Sequence, residues 1–162
     1  MTIVEDTTGV EDTKGGDGRA PALDRRRLTG LLGYSLRRAQ LRAFQDFAET
    51  MAPFGLSPGQ LGVLLLVQAN PGLNQSTLAK AMGLDRSTIV AVIDRLEGRD
   101  FLRRASSPRD RRSHALGLTD AGAAFLEEVG PHLRRHEERL AAGLSAAERK
   151  TLTGLLNRIN GL

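Results

Sequence analysis

Between residues 99 and 112 stand six arginines, Arg99, Arg103, Arg104, Arg109, Arg111 and Arg112, against only Asp100 and Asp110, a local net charge of +4. Like charges packed this closely repel, so a merely solvated loop gains little from them, whereas an anionic partner would turn the repulsion into attraction. The planar guanidinium fork matches phosphate oxygens and guanine edges, which makes anion recognition the chemistry on offer. Arg109, Asp110, Arg111 and Arg112 form its tip. Asp110 fits as an organiser: pairing with an arginine two residues away would hold that guanidinium outward and reduce the entropy lost on binding.

A second candidate set lies upstream, at Arg86, Ser87, Thr88, Val90 and Ala91. Ile89, Val92, Ile93 and Leu96 recur at helical spacing and read as a core stripe, which leaves Arg86, Ser87, Thr88, Val90, Ala91 and Asp94 toward solvent or a groove. At a helix start, side chains and free backbone N–H groups can meet phosphate and base edges together. Val90 and Ala91 are apolar for a solvated face. Extra packing and contact with thymine methyl groups both account for them.

Other chemistry is sparse. His114, His132 and His136 are the only histidines. His132 and His136 have the i, i+4 spacing of a metal pair but lack cysteine or a third ligand, so neither a metal nor a cofactor is expected. No nucleophile, base and orienting group occur together, and no phosphate-binding glycine loop is present, so the chain does not read as an enzyme. In GYSLRRAQLRAFQDF, residues 33–47, Tyr34, Phe44 and Phe47 interleave with Arg37, Arg38 and Arg42. Core aromatics with a solvated basic face explain this. So does an aromatic-lined pocket with arginines at its mouth for a carboxylate or phosphate, which would use Tyr34, Arg37, Arg38 and Phe44.

The elements that must position these groups are readable from capping and periodicity. From Asp24 an apolar stripe at three- and four-residue steps predicts a helix ending before Pro53. Ser57, Pro58 and Gln60 predict a capping box that opens a helix running to Pro71-Gly72. Asn74 and Gly83 bracket a third helix, Asp85 and Gly98 a fourth, with only Gly83, Leu84 and Asp85 between them. So short a turn is the mark of a helix-turn-helix. FLRRA (101–105) and HALGL (114–118) read as strands, joined into a hairpin by the arginine-rich loop. Thr119 caps a long helix that Pro131 should kink, and Ser145 with Glu148 launches a last helix carrying Leu152, Leu155, Leu156 and Ile159. The fold class is mainly α with a small β-hairpin wing: a winged helix-turn-helix lobe at about 57–118, and dimerisation helices at about 24–52 and 120–160. The apolar faces of the terminal helices exceed what the small lobe can cover, and pairing two chains would bury them.

Composition sets the remaining bounds. The 162 residues suit one domain, from about residue 23 to 162, preceded by a disordered acidic tail over 1–22. Residues 1–24 hold six acids and two bases, a net of −4, so against a whole-chain charge of +4 the remainder carries +8. Of 23 basic residues 20 are arginine, which favours nucleic acid as partner although GC-rich coding also enriches arginine. Absent cysteine excludes disulfides and thiolate chemistry. No run approaches the ~18 apolar residues of a membrane span, and the N-terminus lacks a secretory pattern, so a soluble cytoplasmic chain without membrane association is expected.

The run LDRSTIVAVIDRLEGRDFLRRASSPRDRRSHALGLTDAG, with its D-x-R wing signature followed by L-T-x-x-G, resembles the winged helix-turn-helix of the multiple-antibiotic-resistance regulator (MarR) family. The likeness extends over about residues 25–162. It implies a homodimeric bacterial transcription regulator, most often a repressor, with interleaved terminal helices and a small-molecule site between the dimer region and the DNA-binding lobe. It also implies that Asp110 and Arg112 form the wing pair, the arginine entering the minor groove. Val90 and Ala91 depart from the polar or basic residues common there. LGYSLRRAQ is similar to the branch that responds to hydroxycinnamoyl or other aryl-CoA thioesters, which points to an aromatic acid or its CoA ester as effector. The expected partners are therefore double-stranded DNA, a second copy of the chain and that effector. The competing expectation is a winged-helix module that docks its basic hairpin on an acidic protein surface without specific DNA binding.

Overall fold

The computed structural model describes residues 24–106 and 114–161, and the chain divides into two units, one up to Ser35 and one from Leu36 onward. The predicted acidic tail and the tip of the predicted hairpin lie outside the described residues.

The first unit holds α1 (Arg26–Thr29) and the beginning of α2 (Leu32–Met51). The sequence predicted one helix from Asp24; the helix instead breaks at Gly30 and Leu31. The first piece is a single turn held by the Asp24 carboxylate, which accepts from the Arg26 N–H at 2.9 Å. Glycine at position 30 makes the break cheap, because it gains little from continuing a helix. Leu28, Leu31 and Leu32 are exposed.

In the second unit α2 runs to Met51. Pro53 ends the α-helical pattern as predicted, and the chain continues through a 3₁₀ turn at Ala52–Phe54 to Gly55, whose φ of 56° is the left-handed conformation that glycine adopts without strain. Helix α3 (Pro58–Ala69) opens with both halves of the Ser57–Gln60 capping box formed. Asn74 caps α4 (Gln75–Met82), which Gly83 ends at φ 62°, and Asp85 caps α5 (Arg86–Glu97). Strands β1 (Leu102–Ser106) and β2 (His114–Leu118) pair antiparallel, with Leu102 opposite Leu118 and Arg104 opposite Leu116. On the far edge of β2, Gly72 donates to the Leu116 carbonyl and Leu116 donates to that of Leu73. This short third rung was not predicted, since Pro71-Gly72 looks like a plain helix stop. Helix α6 (Asp120–Leu140) is capped by Thr119 and includes Pro131 without ending there; α7 (Ala146–Ile159) opens with the Ser145–Glu148 capping box.

The core lies where α3, α4, α5, the hairpin and α6 meet. Val63, Leu64 and Val67 of α3, Leu78 of α4, Ile89, Ile93 and Leu96 of α5, Leu102 and Leu116 of the strands, and Val129 of α6 are all inaccessible to solvent or nearly so. Burying each such aliphatic side chain is worth about 1.5–3 kcal/mol, which fixes the helix-turn-helix and the base of the hairpin as one body. Only the end of α2 joins it, through Phe47 and Met51, and no residue of α7 is buried. Val92, predicted as core, is half-buried at its margin.

Candidate nucleic-acid interface

The first turn of α5 is built around Asp85. One carboxylate oxygen accepts from the Thr88 backbone N–H at 2.8 Å and from the Ser87 hydroxyl at 2.5 Å, and the other accepts from the Thr88 hydroxyl at 2.6 Å. These hydroxyl and amide donors hold the carboxyl far below the ordinary carboxylate range, so it is anionic at any physiological pH. Arg86, Ser87 and Thr88 are exposed, as is Ala91 one turn later. Val90, offered alongside them as a groove residue, is half-buried and packs against the core. Helix rotation places it at the edge of the Ile89 and Ile93 stripe, so packing accounts for its apolar character.

Asp94 is exposed, as expected, and it also accepts from Arg104 of β1 at 2.5 Å, while the same guanidinium pairs with Glu97. Glu97 also accepts from the Arg104 backbone N–H at 3.2 Å. A strand residue thus holds two carboxylates on successive turns of α5, fixing the angle at which the hairpin leaves the helix. Arg99, although exposed, also has partners within the chain. It donates to the carbonyls of Phe54 at 2.8 Å and Gly55 at 3.1 Å, with its guanidinium carbon 4.6 Å from the Phe101 ring centroid and 5.3 Å from that of Phe125. Two of the six arginines counted in the basic run therefore have internal partners. Arg103 is exposed, and Arg109, Asp110, Arg111 and Arg112 lie outside the described residues.

The L-T-x-x-G motif has a physical explanation in the seam between β1 and α6. The Thr119 hydroxyl donates to the Asp100 carbonyl while accepting from the Gly122 N–H at 2.9 Å, so one side chain caps the helix and ties it to the turn before β1. A Cβ on Gly122 would sit 2.1 Å from the Phe101 carbonyl oxygen, so only glycine allows this approach. Asp100 itself adopts φ 59°, a conformation that aspartate tolerates better than most residues.

Helix α2 meets α6 through a charged cluster that composition did not reveal. Asp46 accepts from His136 Nδ1 at 2.5 Å and from Arg139 at 2.7 and 3.0 Å, and Arg139 also donates to the Thr50 hydroxyl. The Arg139 and His136 hydrogen bonds hold the Asp46 carboxyl down at about 2. His136 is buried with its ring edge-on to Phe47, and His132 packs against Phe54 while accepting from Arg135. The two histidines thus face different partners. Among the described residues no group of side chains is arranged to hold a metal ion.

Of the predicted pocket residues, Tyr34 is half-buried in the first unit. In the second, Arg37 and Arg38 are exposed on α2 and Phe44 leaves 52% of its surface open. No single helix among the described residues is long and apolar enough to cross a membrane.

Comparison with known proteins decides the family. Residues 56–114, from just before α3 to the start of β2, match the family described as the MarR family. A putative transcriptional regulatory protein for the hcr operon of Thauera aromatica is 44% identical over 133 residues, covering 82% of this chain and 80% of that protein. The chain belongs to the MarR family. The winged helix-turn-helix predicted from residues 57–118 is that family's DNA-binding architecture, and this member is a transcription regulator. Two solved structures extend the likeness. The transcriptional repressor CouR bound to a 23-mer DNA duplex is 46% identical, with a TM-score of 0.82, over 86% of this chain and 99% of that one. The same repressor bound to p-coumaroyl-CoA is 44% identical, with a TM-score of 0.77, over 86% and 98%.

Proposed function

We propose that this MarR-family chain is a homodimeric repressor that binds a pseudo-palindromic operator and is released from it by a small aromatic acid or its CoA thioester. It acts on DNA in the cytoplasm and catalyses no reaction. The observation that carries the reading is α5: its first turn presents Arg86, Ser87 and Thr88 to solvent, with Ala91 beyond, on a helix whose opposite face is locked into the core. Two such helices in successive major grooves would lie about 34–36 Å apart, with Arg109, Asp110, Arg111 and Arg112 reaching the flanking minor grooves. A relative 46% identical in sequence has been solved on a DNA duplex, which supports the same use here.

For the effector, the p-coumaroyl-CoA complex of CouR supports an aryl-CoA ester. Exposed Arg37 and Arg38 would meet the thioester's phosphates and Phe44 its aromatic part. The test is fluorescence anisotropy of the purified protein on duplex DNA from upstream of its own gene, titrated with p-coumaroyl-CoA and then with p-coumarate. Saturable binding that the thioester reverses at stoichiometric concentrations is expected. Complete indifference to duplex DNA at low salt would instead favour a module that docks on an acidic protein surface.

A further inference from the structure

The cap of α5 fixes the hydrogen-bond polarity of the side chains that face the groove. A serine or threonine hydroxyl has one proton to donate and two lone pairs that accept, so once the proton is committed the group can only accept. Both hydroxyl protons at the start of α5 are committed to the same anion: Ser87 donates to one Asp85 oxygen at 2.5 Å and Thr88 to the other at 2.6 Å. The Thr88 N–H donates there too, at 2.8 Å. An ionised carboxylate accepts and cannot return a proton, so the direction of these bonds is set. All three residues remain exposed.

We infer that Ser87 and Thr88, oriented by Asp85, read exocyclic amino groups in the major groove, so that the bases they contact are adenine or cytosine rather than guanine or thymine. Adenine N6 and cytosine N4 are the donors there, while guanine and thymine present O6 and O4 acceptors. Exposed Arg86 has the opposite character. Its guanidinium only donates and suits guanine O6 and N7, so the first turn of α5 carries a donor next to an acceptor patch. The alternative use of the two hydroxyls, donation to a phosphate, would require breaking both bonds to Asp85 and would bring its negative charge against the phosphate. The inference rests on the proposed reading of α5 as the recognition helix and adds the chemistry of what it recognises.

The experiment starts by selecting operators from a randomised duplex library with the full-length protein. At each selected adenine or cytosine the base is then replaced by its analogue lacking the exocyclic amino group, and separately each adenine by 7-deazaadenine. At one or two positions per half-site, loss of the amino group should weaken binding by roughly 2- to 10-fold, the range of one neutral hydrogen bond, while 7-deazaadenine changes it less than twofold. Ser87→Ala and Thr88→Val should each abolish the amino sensitivity at one position. Both retain the Asp85 contact to the Thr88 N–H, and a thermal melt checks that they fold. Asp85→Asn, which introduces a donor and releases a hydroxyl proton, should shift selection at those positions toward guanine or thymine. Selection of guanine or thymine by the native protein, or amino sensitivity that survives both hydroxyl deletions, overturns the inference while leaving the DNA-binding reading intact. Failure to enrich any duplex overturns that reading itself.

Discussion

A single guanidinium in the wing and a single carboxylate between helices show how differently charge is used in this chain. Arg112, in the D-x-R signature, is proposed to enter the minor groove, where the narrow, strongly negative channel favours a cation. Arg112→Ala should therefore weaken operator binding by about 1–3 kcal/mol without altering the melting temperature, as measured by anisotropy and calorimetry. It should also make the slope of log K against log salt shallower, by up to about 0.9 for each phosphate charge no longer neutralised. Asp46 works in the opposite setting, paired with Arg139 and His136. Its carboxyl sits at about 2 in the fold against an ordinary 3.8, so the folded state favours the ionised form. That stabilisation is complete above about pH 4 and disappears as the pH falls through about 2. Urea titrations of the wild type and Asp46→Asn at several acid pH values should show a stability difference that shrinks as the pH falls below about 4.

At the scale of elements, what matters is how the hairpin is attached to the helix that precedes it and the helix that follows. Arg104 holds Asp94 and Glu97, so its charge is already neutralised and it contributes orientation rather than phosphate binding. Arg104→Met should lower operator affinity severalfold while leaving the salt slope unchanged, which separates it from a residue that touches phosphate. The seam with α6 admits even less change. Gly122→Ala would drive a methyl group into the Phe101 carbonyl, and because backbone must move to relieve it the cost should reach or exceed the top of the usual 1–3 kcal/mol for overpacking. A melting temperature within a degree of wild type would show that the seam yields more easily than its geometry implies.

For the whole molecule, the unburied surface is as informative as the core. Leu152, Leu155 and Ile159 on α7 are 45%, 48% and 54% exposed, and Leu41 on α2 is likewise open. So much apolar surface on two long helices is the mark of an interface, and the proposed homodimer would bury it. Leu152→Asp combined with Leu155→Asp should shift the protein toward monomer in sedimentation experiments. With one recognition helix per particle, operator binding should collapse, because the second half-site would no longer be engaged as an intramolecular event. A double mutant that stays dimeric and binds normally would move the interface off α7.

Much of this could be read from the sequence because it is encoded in short range. Ser57, Asn74, Asp85, Thr119 and Ser145 each cap the helix predicted for them, since a cap needs only the next three residues. The short strand-like runs FLRRA and HALGL, joined by a loop, located the hairpin for the same reason. Packing across the chain was not encoded that way. Composition treats all arginines alike, yet Arg99 and Arg104 found carbonyls, the Phe125 ring and carboxylates 7 to 45 residues away. Asp46, His136 and Arg139, some 90 positions apart, meet only once α2 lies on α6. The local sequence determined which helices and strands exist. Tertiary packing decided which charges have internal partners and which are left facing solvent, because that depends on neighbours that only the folded chain supplies.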